Sequence, residues 1–351
     1  MPISAIDAIS PAFRHAREQL LQPFRIGQWL RLALVGMLAG EVTSGGCNGN
    51  FQVPHHRDHF LAPAFPHIDP LAMAGLIAVL AGVGAILYLL FLYVSSVMRF
   101  VLFDSVLERR CEIRRGWSLR QRAGLRYFLW QLTLLVAVMI GMTILIGIPA
   151  AIALAAGWLS DPKQHLVPLI LGGMVLFFLV MVFVLAAAAI QVLTKDFVVP
   201  QMALEDLNAF QGWKRLFPML SSEKGPYAGY LLMKIVMALG VAVVVGILAF
   251  IVILIMLIPV GGLGAAVVLA GKAAGLQWDL YTITLAVVIG CVLLAVVLYV
   301  MSLISVPAIV FFPAYSIYFF AARYPALGAL LNPVPPSPEP PPTLPLPEVS
   351  G

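Results

Sequence analysis

Charge is what this 351-residue sequence has least of, since only 11% of its residues are Asp, Glu, Lys or Arg. A typical soluble domain carries about 25%. With 62% hydrophobic residues, the chain has too little polar surface to cover a water-soluble fold. The apolar residues form long uninterrupted runs without helical or strand periodicity, so we expect an all-α integral membrane protein.

Signatures of catalysis, disulfide frameworks and metal sites are also missing. The three cysteines, Cys47, Cys111 and Cys291, lie far apart in the sequence and predict neither a disulfide framework nor a zinc site. No apolar run contains a nucleophile elbow, a His-Glu-x-x-His pair or a Gly-x-Gly-Asp signature. We therefore expect a protein that is not an enzyme and needs no cofactor.

Five charge-free runs are each long enough to cross the membrane, which takes about 20 residues of helix. They cover residues 71–98, 127–160, 166–194, 235–271 and 280–322. A weaker apolar run over residues 24–44 contains Arg31 and Glu41, which would lie near opposite membrane surfaces if this run also crosses. The sequence thus predicts about six transmembrane helices in a domain of residues 25–325.

The basic residues predict the orientation of these spans. Of the 21 Lys and Arg residues, 18 fall on the side of both termini, and only Arg57, Lys163 and Lys272 fall on the other. Residues 99–126 alone contain eight arginines. Because basic residues stay in the cytoplasm, we expect a multi-pass bacterial inner-membrane protein with cytoplasmic termini. Anionic lipid headgroups are the expected partner of residues 99–126, and no nucleic acid is expected.

The two terminal segments differ from the apolar domain. In residues 1–24, Phe13, Ala16 and Leu20 share a helical face opposite charged residues, which predicts an amphipathic helix in the membrane interface. Residues 326–351 are dominated by a proline-rich stretch that excludes helix and favours polyproline II or disorder. We expect a disordered cytoplasmic tail; the alternative is that this tail binds a proline-recognising partner protein.

The sequence after the second predicted span resembles the sequence after the fourth. The paired positions are Phe100 and Phe197, Leu107-Glu108 and Leu204-Glu205, and Gly116-Trp117 and Gly212-Trp213. After the last span, Val310, Pro313 and Ile317 fit the same frame. These matches predict three related helical hairpins of one orientation. Alternatively, the connectors look alike only because membrane interfaces select aromatic and charged residues.

One of these connectors carries a family resemblance. The stretch TKDFVVPQMALED, with the following Gly212-Trp213, resembles bacterial membrane proteins grouped around the glycerophosphodiester phosphodiesterase membrane domain and its uncharacterised relatives. The resemblance implies a multi-span helical fold and a membrane location. It does not imply phosphodiesterase activity, because that activity belongs to a separate soluble barrel and the cytoplasmic segments here are too short to contain one.

Residues at the span ends are the candidates for binding substrate or lipid, because ionisable groups in a membrane are costly and often functional. They are Arg31, Glu41, Arg99, Asp104, Glu108, Asp196, Pro200 and Glu205. The alternative is that the connector acids pair with neighbouring Arg or Lys at headgroup level. His55, His56 and His59 are weak metal-ligand candidates, but their proline-rich surroundings favour a solvated loop.

Three functions remain open from the sequence. The first is a non-catalytic scaffold that binds partners or lipids. The second is a transporter or channel for a small or lipidic substrate, suggested by Glu41, the repeats, and the interruptions at Ile148-Pro149 and Ile258-Pro259. The third is a lipid-processing enzyme that uses the connector acids. The near absence of charge within the predicted spans speaks against an ion pathway.

Overall fold

A computed structural model describes residues 4–41, 70–158, 165–273 and 280–331 of the chain. These residues form ten α-helices and one π-helical turn, and none of them lies in a β-strand. The all-α prediction is confirmed. Its physical reason is that an apolar segment in lipid has no water to satisfy its peptide groups, and helix satisfies them within the segment.

Five of the helices are long and five are short. Two short helices come first, α1 (Ile9–Leu21) and α2 (Ile26–Leu38). Three long ones follow, α3 (Pro70–Leu107), α4 (Ile113–Ala155) and α5 (Leu166–Leu193). A π-helical turn (Thr194–Val198) joins α5 to α6 (Val199–Glu205). The remaining helices are α7 (Ala209–Ser222), α8 (Lys224–Ala273), α9 (Leu280–Ala321) and α10 (Pro325–Leu331).

Five segments are long and apolar enough to cross a membrane. They are Ala78–Leu107, Ile113–Ala155, Leu166–Glu205, Lys224–Met256 and Val287–Ala321. The first predicted span, over residues 24–44, contains α2, whose 13 residues reach only about 20 Å at 1.5 Å per residue. This is short of the roughly 30 Å hydrocarbon core. Residues 42–44 lie outside the described part of the chain.

The two ends of the bundle pack differently. Buried residues concentrate where α3 ends and α4 begins, and in the segments of α5, α8 and α9 that meet them. We call this end the arginine-rich end, because residues 99–126 lie there. Away from it, the apolar side chains of the five long helices are largely exposed. Such surfaces are stable against lipid tails and not against water.

Proline does not end the long helices, contrary to the expectation that the Ile-Pro pairs interrupt them. Helix α4 continues through Pro149 to Ala155, and α9 contains both Pro307 and Pro313. Proline removes one backbone hydrogen bond and bends a helix. A membrane helix tolerates this loss where neighbouring groups satisfy the freed carbonyl.

Two boundaries at the termini also need correction. The tail predicted to be disordered from residue 326 is helical at its start, because residues 325–331 form α10 and Leu327 is fully buried. The rest of the predicted tail lies outside the described residues. In α1, Phe13 is 62% exposed although its predicted partners Ala16 and Leu20 are buried. The buried face is therefore rotated away from Phe13, which stays available to the membrane interface.

Side-chain hydrogen bonds fix α1 and α2 to the long helices. In α1, His15 Nε2 donates to the Val106 carbonyl over 2.8 Å, and Gln19 Nε2 donates to the Ser105 carbonyl over 2.8 Å. In α2, Trp29 Nε1 donates to the Leu303 carbonyl over 3.1 Å. These contacts hold α1 against the end of α3 and the first turn of α2 against α9.

Candidate functional site

Five ionisable side chains from separate parts of the chain meet inside the bundle. They are Glu41 after α2, Arg99 of α3, Lys195 and Asp196 of the π-helical turn, and Lys234 of α8. We call them the buried ionic network. They are close enough to interact electrostatically, and three positive groups face two negative ones.

The first ion pair of the network joins Lys195 to Glu41. Residue Glu41 lies 154 positions before Lys195 in the sequence, so the pair closes a long loop of chain. Its carboxylate is 4% exposed and the lysine side chain 16%. Removing one member of such a pair leaves an uncompensated buried charge.

The second ion pair joins Lys234 of α8 to Asp196. The hydroxyl of Tyr230, one helical turn before Lys234, also donates to the Asp196 carboxylate over 2.9 Å. The Tyr230 ring stacks on Tyr315 of α9 with centroids 5.0 Å apart. The carboxylate therefore ties the π-helical turn to α8, and the tyrosine stack extends this contact to α9.

Arg99 completes the network without a carboxylate of its own. Its Nη1 donates to the Tyr127 hydroxyl over 2.7 Å, and its Nη2 donates to the Ala39 carbonyl over 2.9 Å. The buried Nε–H has no acceptor among the residues that the structure describes. Gln131, one turn after Tyr127, donates to the same tyrosine hydroxyl over 2.7 Å. The guanidinium is thus held by neutral groups only.

The π-helical turn explains how two adjacent residues both reach the interior. In an α-helix, consecutive side chains point about 100° apart, and one of two neighbours usually faces outward. The wider turn at Thr194–Val198 lets Lys195 face Glu41 while Asp196 faces Lys234. Single π-turns of this kind occur frequently at functional sites.

The predicted repeat reappears in the network. Arg99 precedes Phe100, Asp196 precedes Phe197, and each bonds to a tyrosine of the following long helix, Tyr127 or Tyr230. We call residues 97–131 the first junction and residues 194–234 the second junction. The same positions in the two junctions thus carry opposite charges.

Backbone geometry repeats at the same places. Arg109 and Asp206 each follow the junction phenylalanine by nine residues, and both have positive φ, 56° and 52°. Such left-handed conformations are uncommon outside glycine. Each ends its helix before a connector that begins a new one, so the two breaks are equivalent.

Close glycine contacts repeat as well. A Cβ on Gly116 would lie 3.1 Å from the Val101 side chain, and one on Gly212 would lie 2.7 Å from Val198. These valines follow Phe100 and Phe197 directly. In both junctions the glycine lets the connector helix lie against the end of the preceding span, which supports the repeat as more than shared interface composition.

The third copy differs because its position before Val310 is Ile309. This side chain packs against Gly36 of α2, where a Cβ would lie 2.6 Å away. An apolar residue therefore stands where the junctions have Arg99 and Asp196. The third hairpin contributes packing and Tyr315 to the site, and no charge at this position.

The arginine-rich end presents a second, solvent-facing group of charges. The exposed arginines are Arg109, Arg110, Arg114, Arg115 and Arg122. Arg109 pairs with Glu18 at 2.9 Å and Arg115 lies 3.7 Å from Glu112, but exposed pairs contribute at most about 1 kcal/mol. Positive charge therefore remains available on this surface.

Two of the predicted acids hold connectors together. Asp104 accepts two hydrogen bonds from Arg120, of 2.7 and 2.8 Å. Glu205 accepts from Arg215 and from the Tyr324 hydroxyl. Burial and the neighbouring Glu205 carboxylate raise the pKa of Tyr324, so this tyrosine remains a donor at neutral pH. These contacts agree with the alternative that the connector acids form structural pairs.

The other candidates lie apart from the network. Arg31 is exposed on α2, and exposed Glu108 lines a shallow hollow between α3 and α4. Pro200 is buried in the first turn of α6, where a missing backbone N–H costs little. His55, His56 and His59 lie outside the described residues, and the part of the chain that the structure describes has no group of metal-ligating side chains.

Sequence reasoning identified Glu41, Arg99 and Asp196 but missed Lys195, Lys234 and the two tyrosines. It placed Lys195 and Lys234 in cytoplasmic connectors, whereas the helices continue through both positions. One signal was present: Tyr127 and Gln131, like Tyr230 and Lys234, are four residues apart and so share a helix face.

Comparison with known proteins gives a family but no activity. A family model described as "Family of unknown function (DUF7544)" matches residues 3–330. No curated protein and no solved structure matches the chain. The resemblance to the glycerophosphodiester phosphodiesterase membrane domain therefore stays a prediction.

Proposed function

We propose, for a chain that belongs to this family of unknown function, the role of a non-catalytic, multi-pass scaffold in the bacterial inner membrane. In this proposal both termini are cytoplasmic, and the arginine-rich end binds anionic lipid headgroups or a partner protein. The 18 basic residues on one side against three on the other support this orientation. The exposed arginines of the arginine-rich end carry the proposal.

Three of these arginines are free to bind. Arg110, Arg114 and Arg122 are exposed, and none has an ion-pair partner among the described residues. A basic side chain beside an anionic leaflet contributes about 1 kcal/mol of attraction. Three of them are enough to select anionic over neutral lipid at the low ionic strengths where screening is weak.

The exposed face of α1 supports the same surface. Phe13 and Leu21 of α1, and Phe24 shortly after it, are more than half exposed, and Arg14 and Arg17 of α1 are exposed too. Apolar and basic side chains together are typical of helices that lie in the membrane interface. Because α1 is bonded to the end of α3, its face and the exposed arginines lie at one end of the protein.

Lipid-dependent melting of the purified full chain tests this role. Phosphatidylglycerol and phosphatidylcholine are added in turn to the protein in neutral detergent. We expect phosphatidylglycerol to raise the apparent melting temperature more, and this difference to shrink by at least half in R110Q/R114Q/R122Q.

The charge-matched control is R57Q/K163Q/K272Q, which removes the three basic residues predicted for the opposite side. It should keep the full preference for phosphatidylglycerol. Equal loss in both triple variants would mean that net charge alone, and not the arginine-rich end, produces the effect, and the proposal would then be wrong.

A carrier for a small or lipidic substrate is the second candidate. It is favoured by the five ionisable groups of the buried ionic network, which lie within or beside the long helices. The sequence analysis had predicted almost no charge within the spans. Proteoliposomes with a trapped pH-sensitive dye would reveal proton coupling as a flux above protein-free vesicles. If the protein is such a carrier, K195Q should abolish the proton flux. Absence of flux in the wild type would contradict a proton-coupled carrier.

A further inference from the structure

We propose that the buried ionic network binds one phosphate group, that of an anionic phospholipid, beside Arg99. This site is separate from the exposed arginines of the scaffold proposal. Its basis is the excess positive charge of the network, the accessibility of its cations, and the exposed apolar surface of the spans that carry them.

Among the residues that the structure describes, the network holds three cations and two carboxylates, so one positive charge is in excess. Lys195 pairs with Glu41 and Lys234 pairs with Asp196, whereas the guanidinium of Arg99 meets only a tyrosine hydroxyl and a backbone carbonyl. A charge removed from water is costly unless an opposite charge lies nearby. A singly charged oxyanion at Arg99 would balance the network.

The accessible atoms of the network belong to its cations. The side chains of Lys195 and Lys234 are 16% and 14% exposed, whereas those of Glu41 and Asp196 are 4% and 3% exposed. Arg99 is also partly exposed. A ligand that reaches the network therefore meets a positive face, and guanidinium is the side chain best suited to phosphate geometry.

The position of the network favours a lipid over a free ion. Arg99, Lys195 and Lys234 each lie where a helix passes from its buried segment into its exposed apolar segment. Along the same spans, Leu90, Leu185 and Leu232 are 58%, 60% and 65% exposed. A phosphate at the network would leave acyl chains beside these apolar surfaces, in the way a phospholipid of the same leaflet is oriented.

Native mass spectrometry of the full chain in neutral detergent tests the site. The probes are phosphatidylglycerol, diacylglycerol without a phosphate, and inorganic phosphate. We expect one phosphatidylglycerol to stay bound to the wild type and R99Q to reduce its occupancy at least tenfold. The matched control R25Q removes an exposed arginine outside the network and should stay within twofold of the wild type.

The other probes and variants distinguish a bound phospholipid from a free phosphate ion and from binding through the acyl chains alone. Displacement of the lipid by millimolar inorganic phosphate would assign the site to phosphate but overturn the lipid as its occupant. Equal binding of diacylglycerol, or full occupancy in R99Q, would overturn the phosphate site. If R99Q does not fold, R99K serves instead, with a twofold to tenfold loss expected and no loss contradicting the proposal. R110Q/R114Q/R122Q should keep this one lipid, so the test does not depend on the scaffold proposal.

Discussion

The first and second junctions share a backbone design and differ in charge. Both have a buried phenylalanine, a break with positive φ nine residues later, a close glycine contact and a tyrosine from the next long helix. The first junction places Arg99 against neutral partners. The second places Asp196 between Tyr230 and Lys234.

This difference distinguishes the residues that the packing of the helices requires from the charged residues that form the buried ionic network. Phenylalanine, glycine and the helix break recur because they solve one packing problem twice, whereas Arg99 and Asp196 occupy the same position with opposite charges. Packing does not demand opposite charges at equivalent positions. The charges therefore belong to the contact between the junctions, where Glu41 and Lys195 also meet.

Removing the cation of the second junction should have the largest effect. Lys234→Met leaves the Asp196 carboxylate buried with one tyrosine donor, a loss of about 3–5 kcal/mol for a broken buried pair. The equivalent change in the first junction, Gln131→Met, removes one neutral hydrogen bond and should cost about 1 kcal/mol. Apparent melting temperatures in detergent compare the two.

The double variant D196N/K234M checks the cause. It removes both charges together and should recover most of the stability lost in K234M, because no unpaired charge stays buried. If K234M and Q131M melt at the same temperature, the ion pair does not distinguish the two junctions.

The comparison also shows which features a sequence can reveal. Helix follows from apolar length alone, and the repeat was visible in Phe100, Phe197 and the glycines, because both are local properties of the chain. The pairing of Glu41 with Lys195 was not visible, since it joins residues 154 positions apart through a π-helical turn that no composition signal marks. The end of a helix is also poorly encoded where proline is tolerated inside it, as at Pro149.

Replacing a glycine that packs closely against a valine with alanine should lower the free energy of unfolding by about 1–3 kcal/mol. The better helix propensity of alanine should offset up to about 1 kcal/mol of this loss. Gly124→Ala should be worst, because its Cβ would lie 3.0 Å from the backbone of Val97, which cannot rotate away. Gly212→Ala should follow, and Gly116→Ala should be close to neutral. The order of the three melting temperatures is the measurement.

A rescue variant tests the contact in the second junction. Val198→Ala removes the Cγ1 atom that Gly212→Ala would meet at 2.7 Å, so the double variant should lose less than the two single losses added together. Strict additivity would show that the glycine matters for backbone conformation and not for this close approach.

Substitutions of the connector acids should destabilise the protein less than the lysine and glycine substitutions. Asp104 makes a two-bond pair with Arg120, and their side chains are 17% and 24% exposed; Glu205 and Arg215 are 32% and 49% exposed. We expect Asp104→Asn to cost about 1 kcal/mol and Glu205→Gln a few tenths. Raising the salt concentration should shrink the Glu205 effect first, because the more exposed pair is screened more. A larger loss for Glu205→Gln would mean that its bond to Tyr324, and not its charge, stabilises the second junction.

The smallest effect at neutral pH should come from His15, which links α1 to the first junction through the Val106 carbonyl. Burial lowers the pKa of His15 below 6.5, so the folded protein keeps the ring neutral at pH values where the unfolded chain binds a proton. Its contribution is therefore complete above pH 6.5 and is lost as the pH falls toward the folded pKa. His15→Gln should leave melting at pH 8 nearly unchanged and should make melting less sensitive to acid between pH 7 and 5. An identical acid response in both proteins would assign the loss to groups other than His15, and not to the contact of α1 with the first junction.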